Sequence, residues 1–129
     1  MSHPNARVLE KIYADFAAGH YEAAMESCAE NMTFQIAGKS GLAGKYDRRT
    51  FVGSVIKKFV ERSEGTHSVE VHDILASDRH GLVLTTESVV RDGKKAEYRT
   101  VHVWRIEGGK PVAWYLYPRD LYQFDALWG

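Results

Sequence analysis

The run EYRTVHVWRIEGGKPVAWYLYP, residues 97–118, restricts the fold more than any other stretch of this chain. Two segments rich in β-branched and aromatic residues, 98–106 and 112–117, flank Gly108-Gly109, whose freedom in φ suits a tight β-hairpin. Along the first segment Thr100, His102 and Trp104 fall on one face and Val101 and Val103 on the other, because side chains alternate along a strand. Both faces carry groups that need cover. The hairpin is therefore expected at the centre of a bent antiparallel sheet, with a hollow on one side and a helix layer or a second subunit on the other.

Asp92-Gly93 is a second two-residue hairpin signal, and it joins an expected strand over 81–91 to the first segment. A tight turn there sets Val83 opposite His102, Thr85 opposite Thr100 and Glu87 opposite Tyr98, all on one face. Leu82, Leu84, Val101 and Val103 then share the outer face, an aliphatic patch suited to burial under a helix or across a homodimer interface. A further strand is expected over 67–76.

The N-terminal half is helical by pattern. Leu9, Ile12, Tyr13, Phe16 and Ala17 recur at helical spacing over 5–18, with Asn5 as N-cap and Gly19 as the stop. Tyr21, Ala24, Met25 and Cys28 form the narrow stripe of a second, shorter helix. A short strand over 32–37 aligns Met32, Phe34 and Ile36, and Gly38, Gly41 and Gly44 mark a loop. Asp47 then caps the strongest helical pattern, where Phe51, Val55 and Phe59 make one row and Val52, Ile56 and Val60 the next. Near the end, Asp120 is placed to cap a last turn carrying Leu121, Phe124 and Leu127 or Trp128, expected to fold back over an open end of the sheet.

Composition excludes several functions. Seventeen basic residues balance seventeen acidic ones, so no electrostatic footprint for nucleic acid or an anionic membrane is present. The first residues have no apolar core of a secretory signal, and no apolar run approaches the span of a bilayer. One cysteine, Cys28, excludes an internal disulfide, fits a reducing compartment and reads as a small buried hydrophobe. These features point to one cytoplasmic domain over 1–129.

Three motifs carry a resemblance across nearly the whole chain: AAGHYEAAMESCAENMTFQIAG at 17–38, the glycine-rich run through Gly41 and Gly44, and VWRIEGGKPVAWYLYPRD at 103–120. They resemble the nuclear transport factor 2-like superfamily, and the last resembles the hairpin of its SnoaL-like, polyketide-cyclase branch. The resemblance implies an α+β cone in which a strongly bent antiparallel sheet wraps around three helices. It implies little about chemistry, since one such fold hosts isomerases, dehydratases, epoxide hydrolases, cyclases and non-catalytic binders. Laid on the steroid isomerase pattern, the proton-abstracting aspartate falls on Ile36 and the oxyanion tyrosine on Ile12, so both functions are missing. The protonated acid of that pattern falls on His102. The final aspartate of the epoxide hydrolases falls on Leu116.

His102 is accordingly the candidate acid or base, since imidazole titrates near neutrality. A dehydratase-type dyad needs a carboxylate facing it. Glu87 lies on the right face but is displaced along its strand. Phe34, Phe59, Trp104 and Trp114, with Ile36 and Leu116, either wall a pocket for a hydrophobic small molecule or fill the cone. Tyr13, like Tyr46, either supplies a pocket hydroxyl or packs at a helix–sheet boundary. The last strand is ambiguous: a tight Gly108-Gly109 turn puts Tyr115 and Tyr117 beside His102, whereas the family pattern puts Trp114 and Leu116 there, and the reading adopted is the latter. His67, His72, Asp73 and His80 match no metal-ligand spacing, and no cofactor is expected.

Overall fold

The computed structural model describes residues 3–129. Helix α1 (Pro4–Ala17) begins with Pro4 in its first turn, and the His3 ring, rather than Asn5, caps it by accepting from the Asn5 N–H at 3.1 Å. Asn5 instead turns inward and its amide donates to the carbonyls of Ser77 and Asp78 at 2.9 and 3.2 Å, tying α1 to the turn at residues 77–79. Helix α2 (Tyr21–Glu26) is short. Strand β1 (Thr33–Ile36) follows, and then β2 (Gly44–Asp47), where a loop was expected. That strand is mostly exposed and shows no alternation, which is why its pattern is silent.

Asp47 caps the next helix as expected, its carboxylate accepting from the Thr50 N–H at 2.7 Å. The helix runs as α3 (Arg48–Thr50), a π-helical stretch (Phe51–Val55) and α4 (Ile56–Arg62). Phe51, Val55 and Phe59 are buried on it, while the neighbouring row is less covered and Val60 is exposed.

Strands β3 (Ser68–Ala76), β4 (His80–Arg91), β5 (Lys94–Glu107) and β6 (Lys110–Pro118) complete one six-stranded curled sheet in the order β2-β1-β6-β5-β4-β3, with β1 parallel to β6 and the other neighbours antiparallel. The Asp92-Gly93 turn has positive φ at both residues, 53° and 75°, the signature of a two-residue hairpin whose twist matches its strands. Its register is the one expected: Val83↔His102, Thr85↔Thr100 and Glu87↔Tyr98.

At the other hairpin the turn is tight, yet Trp114 and Leu116, not Tyr115 and Tyr117, lie on the His102 face. Gly108 and Gly109 form a tight turn between the paired residues Glu107 and Lys110. Pro111 pairs with Ile106 and Ala113 with Arg105, so Val112 is an extra residue on β6. Such a bulge exchanges the faces of everything beyond it, and Trp114 and Leu116 come to lie opposite Trp104 and His102.

Four rows therefore cross the concave face. Gly81, Trp104, Trp114 and Phe34 form the first; Ile74, Val83, His102, Leu116 and Ile36 the second; Val71, Thr85 and Thr100 the third; and Val69, Glu87 and Tyr98 the fourth. Helix α1 seats Leu9 on the first row against Gly81, where an added Cβ would lie 2.3 Å from Leu9 Cδ1 and force that buried side chain to shift. Gly81→Ala is expected to cost roughly 1–3 kcal/mol by overpacking, read from the urea midpoint.

Helix α5 (Leu121–Trp128) closes the far end, capped by Asp120, whose carboxylate accepts from the Gln123 N–H at 3.1 Å. Asp125 accepts from the backbone N–H groups of Lys39 and Ser40, and Arg62 and Arg91 donate to the carbonyls of Trp128 and Leu127. Phe124 and Trp128 are fully buried beneath it.

Candidate functional site

A polar island sits in the middle of the apolar bowl. Glu87, Thr85, Thr100 and His102 are all buried, with the Glu87 side chain 3% and the His102 side chain 7% exposed. The Glu87 carboxylate gathers five donors. Oε1 accepts from His67 Nε2 at 2.9 Å and the Tyr98 hydroxyl at 3.2 Å. Oε2 accepts from Thr100 Oγ1 at 2.8 Å, His102 Nε2 at 3.2 Å and Thr85 Oγ1 at 3.3 Å.

The sequence misjudged the reach of Glu87. It stands four residues along the strand from the position opposite His102, roughly 13 Å at about 3.3 Å per residue. Between the two lie only the short Thr85 and Thr100, and on a concave surface long arms on either side of short ones lean together. The carboxylate that His102 lacked on paper is thus supplied.

Burial by itself raises the pKa of Glu87, but hydrogen bonds from His102 and His67, with the positive charge those rings carry when protonated, outweigh it and hold the carboxyl well below the ordinary range. Glu87 is therefore an acceptor only, and the ring nitrogens facing it carry protons. In neutral His102 that leaves Nδ1 as an acceptor, and the Tyr13 hydroxyl, 2.5 Å away, donates to it. Burial drives the Tyr13 phenol far above its usual range, despite opposing hydrogen bonds from Trp104 and Trp114, so the phenol keeps the proton it donates. Trp104 Nε1 donates to the Tyr13 oxygen at 3.0 Å. The chain runs Trp104, Tyr13, His102, Glu87, and both His102 nitrogens are engaged.

Of the remaining candidates, Phe34 stacks on Phe51 at 4.0 Å between centroids and packs against Trp114, while Ile36 and Leu116 are buried in the row of His102. Trp114 sets its edge towards His102 at 5.2 Å. Phe59 stacks on His67 at 4.9 Å. Tyr13 thus lies in the His102 network, and Tyr46 does not: its hydroxyl donates to the carbonyls of Leu42 and Ala43. Cys28 is buried as expected, and burial pushes its thiol up to about 11.

Sequence reasoning passed over His67, Tyr98, Thr85, Thr100 and Trp128 as members of one cluster. The hairpin register already placed the two threonines and Tyr98 beside Glu87. His67 gave no such signal, because it precedes β3 and its inward aim comes from the loop. Of the other histidines considered with it, His72 contacts Thr86 Oγ1 at 2.7 Å and His80 is exposed.

Part of the concave face is uncovered among the described residues. By register Val69 and Val71 point inward beside Glu87 and Thr85, yet they are 41% and 36% exposed. Helix α1 covers the Ser77–Asp78 side and Phe59 of α4 covers the His67 side, which leaves the stretch between them partly exposed. Two surface hollows, of about 340 and 640 Å³, lie elsewhere, one lined by Thr86, Arg99 and Arg119 and the other by Asp78, His80 and Arg105.

Comparison with known proteins bears on this geometry. The family model described as a SnoaL-like domain matches residues 9–114. No curated protein matches the chain at a significant level. Among solved structures, Bal32a from a soil-derived mobile gene cassette is similar with a TM-score of 0.88 and 23% identity, covering 98% of this chain and 97% of that one. A cystatin-like-fold protein of unknown function from Xanthomonas campestris has a TM-score of 0.86 and 23% identity over 100% and 99% of the two chains. TerC, co-crystallised with polyporic acid, has a TM-score of 0.84 and 19% identity over 97% and 98%. At these identities the likeness is one of fold.

Proposed function

The chain belongs to the SnoaL-like domain family, and on that premise we propose that it binds a hydrophobic, ring-containing small molecule and moves a proton on it without a cofactor, as an isomerase, lyase or cyclase does. The observation that carries this reading is the ionised Glu87, buried between two histidines and adjoining an uncovered apolar stretch of the bowl. A carboxylate so placed stabilises an imidazolium behind it, which is what a proton acceptor in a dry site needs. The crystallisation of TerC, a protein of the same fold, with polyporic acid supports an organic ligand. One domain acting in the cytoplasm fits the chain's length and its lone buried cysteine. No helix among the described residues is long and apolar enough to cross a membrane.

The reading is tested by a thermal-shift screen against ring compounds, followed by binding measured across pH for the best of them. A bound compound raises the melting temperature by mass action. His102→Gln is expected to fold, since among the described residues that ring is hydrogen-bonded to Glu87 and Tyr13, and a pH dependence of binding that disappears in it would place His102 on the proton path. An unchanged profile in the variant removes His102 from the proton path.

A second reading, a non-catalytic homodimeric module, rests on the outer face of the sheet. Leu75, Leu82, Leu84 and Tyr117 are exposed there, with Val101 and Val103 half-buried between them. A contiguous apolar patch at the middle of a sheet can meet its own copy about a two-fold axis. Leu84→Lys is then expected to shift the protein from dimer to monomer in analytical ultracentrifugation with its fold intact, and a wild type that sediments as a monomer removes this reading.

A further inference from the structure

We infer that the ring nitrogen which meets the ligand is His67 Nδ1, with Glu87 orienting that imidazole, and that the ligand is an apolar ring compound bearing one acidic hydroxyl or C–H. The inference rests on the ligand-binding reading above and changes which histidine does the contacting.

His102 is walled in. Its two nitrogens are taken by Tyr13 and Glu87, and Trp114 and Leu116 cover it. His67 presents the opposite case. Its Nε2 is held by Glu87 Oε1 at 2.9 Å, so in the neutral ring Nδ1 is the acceptor. Among the described residues Nδ1 has no hydrogen-bond partner, and none of their buried polar side-chain atoms lacks one. Nδ1 must therefore reach solvent, in keeping with a side chain that is 18% exposed.

The surroundings fix the ring without closing it. Phe59 stacks on one face at 4.9 Å, Trp128 stands edge-on at 5.6 Å, and the backbone N–H of His67 donates to Ser63 Oγ at 3.2 Å. Beside it Val69, the β3 residue paired with Glu87, is partly exposed on the concave side, and Val71 beyond it is as well. On this inference an apolar ring lies on the two valines with its substituent at Nδ1.

In the proton-transfer step the ligand O–H or C–H bond breaks and its electron pair stays on the ligand as a phenolate or enolate. The proton binds Nδ1, and the imidazolium keeps its Nε2–H on Glu87. Return of the same proton to another ligand carbon completes an isomerisation; delivered instead to a hydroxyl oxygen of the ligand as its C–O bond breaks, it leaves with that oxygen as water and completes an elimination.

The experiment compares 2-naphthol with 2-methoxynaphthalene, which have the same rings with and without a donor, on the full-length protein. Wild type is expected to bind 2-naphthol about tenfold more tightly, the worth of roughly one hydrogen bond. His67→Lys keeps a donor for Glu87 Oε1 but has no acceptor to offer a ligand hydroxyl, and it is expected to bind both compounds alike with its urea midpoint near that of wild type. Preference retained in His67→Lys but lost in His102→Phe overturns the inference in favour of His102. Equal binding of both compounds by wild type overturns it with ligand binding intact. Binding of neither, and no thermal shift with any ring compound, overturns it together with the reading it rests on.

Discussion

Glu87→Ala is expected to lose roughly 3–5 kcal/mol of stability, because removing one member of a buried, hydrogen-bonded charge cluster strands its partners. Five donors converge on that carboxylate, from His67, Tyr98, Thr85, Thr100 and His102. The alanine leaves them a cavity lined by polar groups, with only the hydroxyl oxygens of Thr85, Thr100 and Tyr98 as acceptors among these side chains. Glu87→Gln keeps the shape and one acceptor oxygen but turns an amide N–H₂ towards donors, and a smaller loss of about 2 kcal/mol follows. Urea unfolding at neutral pH separates the three proteins. A loss under about 1 kcal/mol in Glu87→Ala would mean the cluster is not held by its carboxylate.

The same residue sets the response to acid. Its pKa is depressed in the folded protein from an ordinary 4.5, mainly against burial and through the two histidines. The unfolded chain therefore takes up this proton first, and the stability due to Glu87 is present above about pH 4.5 and drains away as pH falls towards the folded value. Between about pH 6 and pH 3 the wild-type midpoint is expected to fall more steeply than that of Glu87→Gln. Parallel slopes would contradict the depressed pKa.

Trp128→Ala is expected to cost about 3–5 kcal/mol, in the range for large-to-small changes at fully buried aromatics. The indole fills the far end of the cone, edge-on to Phe59 at 4.8 Å and to His67 at 5.6 Å, and its Nε1 donates to the Tyr98 hydroxyl at 3.1 Å. Tyr98 in turn donates to Glu87. Trp128→Phe keeps most of the buried area and drops only that donor, so about 1–2 kcal/mol is expected. If the phenylalanine variant is as unstable as the alanine variant, the hydrogen-bonded link to Tyr98 outweighs packing at this end. Urea midpoints at fixed pH give the answer.

The β4–β5 register shows what a local signal can specify. Asp92-Gly93 demands positive φ at two successive residues, and once that turn is tight, alternation alone places Glu87, Thr85 and His102 on one face and Leu82, Leu84 and Val101 on the other. The Asp47 and Asp120 caps were legible for the same reason, since each satisfies backbone N–H groups within its own first turn. Where a feature depends on chain distant in sequence, the residues were silent or ambiguous. Strand β2 exists because β1 pairs with it, not because its four residues alternate. Two sound readings of the last hairpin conflicted until the extra residue at Val112 reconciled them.

Residue spacing by itself determined which side chains share the concave face, because neighbouring positions on paired strands are a matter of period and turn length. Only the tertiary structure decided which of them touch. The curl of the sheet let Glu87 lean over two threonines to His102, and a loop residue with no periodicity, His67, was turned inward onto the same carboxylate with one nitrogen left to solvent. Curvature and loop direction arise from contacts summed over the whole fold, so no window of the sequence contains them.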